Sequence, residues 1–178
     1  MATEIQGAKI VTEEIENAAG ANPYSITLSA EQATTSLAAR DFTSIPAGVK
    51  EIKILLAGVS TSGTSALMVQ LGDSGGIETT GYVGTGYTSN TTNLNITTGM
   101  AVMASTIAAQ TDQGMMIICL QDSSNNTWVS SNVTGSSNSD IGHGGSFKSL
   151  SAVLDRVRLT TVGGSDTFDA GAAAIQFQ

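Results

Sequence analysis

The sequence predicts an all-β fold, a β-sandwich of jelly-roll type with a short N-terminal arm. Turn-forming residues recur about every dozen residues over most of the chain. Only 12% of the 178 residues are charged and 4% aromatic, while Gly numbers 20 and Ser and Thr abound. Such a composition suits close-packed strands and tight turns better than helices. Roughly eight to ten strand-like segments follow one another, the number that a sandwich or jelly roll needs. At 18.1 kDa the chain fits one domain, large enough to bury a core without staples.

Residues 1–35 read as an arm that orders on a partner through Ile5, Ile10, Val11 and Ile15. Acid concentrates at Glu13, Glu14 and Glu16, and Asn22-Pro23 marks a turn; a short helix over 10–20 is the other reading. Residues 36–178 form the sandwich domain. Residues 36–42 alternate loosely and Ile45-Pro46-Ala47-Gly48 is a turn. Residues 49–59 are the first strong strand, with Ile52, Ile54 and Leu56 on one face and Lys50, Glu51 and Lys53 flanking them. Ser60-Thr61-Ser62-Gly63 turns this strand into residues 65–71, which predicts a hairpin. Residues 72–99 read as short strands or an ordered loop presenting Tyr82 and Tyr87, and residues 100–107 as a strand or a helical turn. A β-rich α+β domain therefore stays open as the alternative. The run Met115-Met116-Ile117-Ile118-Cys119-Leu120 predicts a fully buried central strand, with residues 126–130 pairing across a polar turn. Residues 131–146, nearly all Ser, Gly, Asn and Asp, read as a surface loop carrying His143. Residues 148–162 give one long strand or two joined ones, Gly163-Gly164-Ser165-Asp166 a turn, and residues 172–178 the last strand.

The net charge of −8 and pI near 4.3, with no basic run, disfavour nucleic acid and anionic membranes as partners. One cysteine, Cys119, leaves no intramolecular disulfide and no cysteine-based zinc cluster, and its apolar neighbours point to a buried, inert thiol. No apolar stretch is long enough for a membrane span, and Met1-Ala2-Thr3-Glu4 does not begin a secretory signal. The expected chain is soluble and made inside the cell.

Gly72-Asp73-Ser74-Gly75-Gly76 matches the nucleophile segment of serine hydrolases, but a serine nucleophile needs a base. His143 is the single histidine, follows Ser74 in the chain, and sits among glycines; the segment reads as a turn. Asp166 and Asp169 could contribute to a cation site, yet they supply too few oxygens for one. The Asn-x-Thr sequences at Asn90, Asn95, Asn125 and Asn132 follow from composition. Arg156 and Arg158 share a strand face that could meet a partner's carboxylates. No catalytic, cofactor or metal constellation is expected.

Two segments, residues 42–82 (Phe42-Thr43-Ser44-Ile45-Pro46-Ala47-Gly48-Val49 through Gly58-Val59-Ser60-Thr61 to Gly72-Asp73-Ser74-Gly75-Gly76 and Tyr82) and residues 149–171 (Leu154-Asp155-Arg156-Val157-Arg158-Leu159 through Asp166-Thr167-Phe168-Asp169-Ala170-Gly171), carry a resemblance. They resemble a β-rich domain of tailed-bacteriophage structural proteins that also closes tail-fibre-like chains. The resemblance covers about residues 36–178 and implies a virion protein without catalytic residues. With no fibre shaft before the domain, a capsid decoration (cement) protein, forming a homotrimer and packing on major capsid or tail proteins, is the expected function. A tail-tip module showing Tyr82, Tyr87 and His143 to a host glycan is the alternative, and a hydrolase using Ser74 a remote one.

Overall fold

The structure, a computed structural model, describes residues 25–89, 93–104 and 106–178. The expected arm residues Ile5, Ile10, Val11 and Ile15 lie outside the described residues. Among the described residues there are fourteen strands and no helix. In chain order these are β1 (Thr27–Leu28), β2 (Gln32–Ala33), β3 (Ala39–Phe42), β4 (Glu51–Thr61), β5 (Leu67–Asp73), β6 (Gly76–Ile77) and β7 (Val83–Thr88). There follow β8 (Leu94–Asn95), β9 (Met100–Met103), β10 (Asp112–Asp122), β11 (Thr127–Ser136), β12 (Ile141–Ser149), β13 (Leu154–Thr161) and β14 (Phe168–Phe177).

The strands form two antiparallel sheets packed as a sandwich. The larger has nine strands in the order β1-β14-β4-β10-β11-β12-β7-β8, with β2 also on β14. The smaller has five, β3-β13-β5-β6, with β9 also on β5. The all-β expectation holds. The unequal sheets exceed the eight strands of a jelly roll, and β10, β11 and β12 run as a meander within one sheet. The core is built by period-two alternation: Ile52, Ile54, Leu56, Met116, Ile118 and Ile175 from the large sheet meet Leu67, Val69, Leu71, Val157 and Leu159 from the small one.

Several sequence expectations need correcting. β4 and β5 do not form a hairpin; residues 62–66 cross from one sheet to the other, and β5 pairs with β13 and β9 instead. The domain begins before residue 36, because Thr27 pairs with Phe177 and Gln32 with Ala173. Residues 131–146 are not a loop but most of the β11–β12 hairpin, with Asn132 opposite Gly144.

Strand β9 explains that last misreading. It pairs with β5 on one side only, and its other side lies against β7, β11 and β12 of the large sheet. The Val102 carbonyl there has no strand partner, so Asn132 Nδ2 donates to it at 2.7 Å and Thr134 Oγ1 at 3.0 Å. These polar side chains therefore point inward, because a buried carbonyl must be satisfied. The glycines of β7 and β12 make room for β9: a Cβ on Gly86 would lie 2.5 Å from the Ala101 Cβ, and one on Gly142 2.7 Å from Met103 Sδ. Glycine here marks close backbone approach rather than a loop.

The β4–β14 ladder carries two register shifts, between Phe168 and Ala170 and between Ala170 and Ala172. Gly58 (φ 64°) and Gly171 (φ 85°) face each other at this irregularity. A Cβ on Gly171 would fall 2.2 Å from the Gly58 carbonyl oxygen.

Candidate assembly face

The outer face of the large sheet is built from the side chains that alternate away from the core. Leu55, Met115 and Val133 stand side by side across β4, β10 and β11. Lys53, Ile117 and Ser131 form the next row, and Glu51, Cys119, Val129 and Phe147 the one beyond it. Val133 is 65% exposed and Met115 45%, and Val83, Phe147 and Ile141 are also exposed. Around Gly114 the face dips into a depression of about 620 Å³ lined by Leu55, Met115, Ile117 and Val133. Lys53 and Glu51 are the charged side chains in these rows and pair with each other, Nζ to Oε1, at 3.1 Å. Monomeric proteins rarely leave so broad an apolar surface uncovered.

The small sheet differs. On its outer side Arg158 binds Asp41 in bidentate fashion at 2.6 and 2.8 Å. Segment 94–99 folds over that side, and Gln70 Nε2 donates to the Thr98 carbonyl at 2.9 Å. Arg156 binds the adjacent Asp155 at 2.6 and 3.0 Å. Both arginines thus have partners within the chain.

The other singled-out residues fall into separate places. Tyr82 is not presented by a loop: it is 2% exposed, and its hydroxyl donates to the Glu78 carbonyl at 2.9 Å and accepts from Leu71 N–H at 2.7 Å. Its ring fills core space, and burial pushes its phenol pKa up. Tyr87 and His143 do meet, as paired residues of β7 and β12 with ring centroids 4.9 Å apart at 44°. Ser74 lies in the β5–β6 turn of the small sheet, whereas His143 lies on the large one. Asp73 beside it forms the turn: one carboxylate oxygen accepts from Gly75 N–H at 2.7 Å, the other from Ser151 Oγ at 2.7 Å. Asp166 accepts from Ser65 N–H at 2.9 Å, while Asp169 points to solvent on β14. No group of three or more metal-ligating side chains occurs among the described residues. Cys119 is not in the core; it is half-buried on the outer face, and burial together with the Glu51 carboxylate raises its thiol pKa.

A partly buried polar network ties the two sheets at one end. Lys148 of β12 forms an ion pair with Glu78, which follows β6, and its ammonium also donates to the Ser149 carbonyl at 2.8 Å. That ammonium lies 5.6 Å from the Tyr82 ring centroid. Glu78 in turn accepts from Ser151 N–H at 2.8 Å. Burial alone would raise the Glu78 pKa, but Lys148 and Ser151 outweigh it and hold the carboxyl below its ordinary value. Asp73 is also held low, by the Ser151 hydroxyl first and then by Gly75 N–H.

Asp112, at the start of β10, behaves oppositely. Burial pushes its pKa from 3.8 up to about 6, against the hydrogen bond from Gln110 Nε2 at 2.6 Å, and Asp140 adds to the rise. A raised carboxyl binds its proton more tightly in the folded state, so this site gains stability as pH falls from about 6 towards 3.8. Asp112→Asn is expected to stabilise the protein by on the order of 1–2 kcal/mol at pH 8, allowing for solvent near the strand end. The gain should vanish near pH 4, as urea denaturation at the two pH values will read. An equal gain at both would rule out the titration.

Sequence reasoning missed the outer face itself. Its signal was present: an uninterrupted apolar run such as 115–120 supplies a core face and an outer face at once. Protein-family models, curated proteins and solved structures were compared with the chain, and none matches.

Proposed function

We propose that the chain is a non-enzymatic structural protein of a bacteriophage virion surface, a capsid decoration protein that packs on neighbouring subunits. The outer face of the nine-stranded sheet carries this reading. It is broad, apolar and free of uncompensated charge in its central rows, so covering it releases water from apolar surface with little desolvation penalty. The resemblance of residues 42–82 and 149–171 to phage structural proteins supplies the setting. The partners are copies of the chain and major capsid or tail proteins, and residues 1–24 with Ile5, Ile10, Val11 and Ile15 add an attachment arm. The second reading, a tail-tip module that binds a host glycan, is favoured by the Tyr87–His143 pair on the same face. Tyrosine offers a sugar both an apolar ring and a hydrogen bond.

Particle imaging with the tagged protein separates these readings. Decoration predicts copies spread over the whole shell, lost when Met115→Lys places a charge on the face. Copies confined to the tail, with glycan binding lost in Tyr87→Ala, would favour the second. Labelling of Ser74 by a fluorophosphonate, with turnover lost in Ser74→Ala, would overturn both.

A further inference from the structure

We infer that the outer face of the large sheet takes a second copy of this chain. This rests on reading that face as an assembly surface, though not on the particle to which it belongs. Charge comes first. The chain carries −8, so two copies repel over most of their surfaces. The face around Met115 is the exception: Lys53 cancels Glu51 at 3.1 Å, and the three central rows carry no other Asp, Glu, Lys or Arg side chain, His143 being their remaining titratable one. Two such faces meet without like-charge repulsion. The chain's own first 24 residues suit it less well. They carry Glu4, Glu13, Glu14 and Glu16 against Lys9, and the face offers them no cation that is not already paired.

Size comes second. Six strands from β14 to β7 at about 4.8 Å spacing, and three outward rows about 7 Å apart, cover on the order of 600 Å² per copy. That reaches the lower edge of stable interfaces, about 1,200 Å² counted over both partners. Shape follows the same course. Val133 and Phe147 project, while Gly145 and the depression at Gly114 recede, so the surface offers both knobs and holes for its own repeat. A face that meets its own copy closes as a two-fold pair. Such a pair stands in place of the three-fold ring expected from sequence alone.

The test uses purified full-length protein alone, so a failure to join particles and a failure to self-associate are read separately. Sedimentation velocity should give twice 18.1 kDa for the wild type. Lys53→Glu leaves two acids on each face and Glu51→Lys leaves two bases. Each single variant should weaken association at least about tenfold and run as a monomer with an unchanged circular-dichroism spectrum. Mixing the two variants should restore a species of double mass, which neither a folding defect nor a distant interface would do. A monomeric wild type overturns the inference, whether the face is bare or cross-links to residues 1–24. So does an oligomer of any order whose mass both variants leave unchanged, or a mixture that stays monomeric.

Discussion

Gly171→Ala is expected to destabilise the sandwich by about 3 kcal/mol or more. Two penalties combine. At φ 85° an L side chain is strained, by roughly 1–2 kcal/mol. The new Cβ would also sit 2.2 Å from the Gly58 carbonyl oxygen, and that obstacle is backbone of the neighbouring strand, which no rotamer change can move. Relief requires β4 and β14 to separate at their bulge, where Ser60 and Ala57 pair with Ala170 and Ala172. Gly58→Ala is the internal control. Its φ of 64° imposes comparable strain, but a Cβ there meets nothing within 4 Å, so the loss should stay near 1 kcal/mol. Urea midpoints of the two variants decide the matter. Equal losses would show that the close approach contributes nothing and that strain alone selects glycine at residue 171.

Lys148→Ala should rank beside it, with a loss of about 2–4 kcal/mol at neutral pH. The Lys148 side chain is 7% exposed and Glu78 23%, so removing the ammonium strands a carboxylate that solvent reaches only in part. The same change also removes a cation from above the Tyr82 ring. Adding Glu78→Gln to Lys148→Met should recover much of the loss, since an unpaired charge is costlier than a neutral, well-packed pair. If the double variant is as unstable as the single, packing rather than charge explains the defect. The pH dependence gives a second readout. Glu78 and Asp73 both titrate below their ordinary values, so their contribution is present above the usual carboxylate range and is lost as pH falls through the lowered folded-state values. Asp112 opposes this between about pH 6 and 4, so acid first relieves one carboxylate and only later removes the support of the other two.

Much of the sandwich was legible because burial on one side of a strand writes itself at period two. Ile52, Ile54 and Leu56 were placed on one face from spacing alone, and that face lies in the core. Where a second constraint acts on the same residues, the reading failed. Between 131 and 146, alternation is present but inverted: Asn132 and Thr134 face inward to serve the Val102 carbonyl, while Val133 and Ile141 face out. A pattern with polar residues inside and glycines opposite β9 looks like a loop until the inserted strand is known. Tyr82 failed for another reason. An aromatic in a Ser/Thr/Gly stretch suggests display, but its hydroxyl is held by backbone groups, of Leu71 on the small sheet and of Glu78 just after β6, and backbone partners leave no trace in residue type. The run at 115–120 concealed the candidate face, because hydrophobicity states that a side chain avoids water without stating whether its own core or a neighbour will exclude it. The β4–β5 hairpin was misplaced because a short polar connection reads the same whether it turns within a sheet or crosses between two.

The position of β14 has a consequence for biosynthesis. It is held between β1 and β4, elements of the opening third of the chain, and it emerges from the ribosome after every other strand described here. Until then the edge of β4 that will receive it stays unzipped, offering bare amide and carbonyl groups to any passing strand. Sheet closure therefore awaits contacts more than a hundred residues apart, which slows folding and makes the β4 edge a natural place for a chaperone to hold.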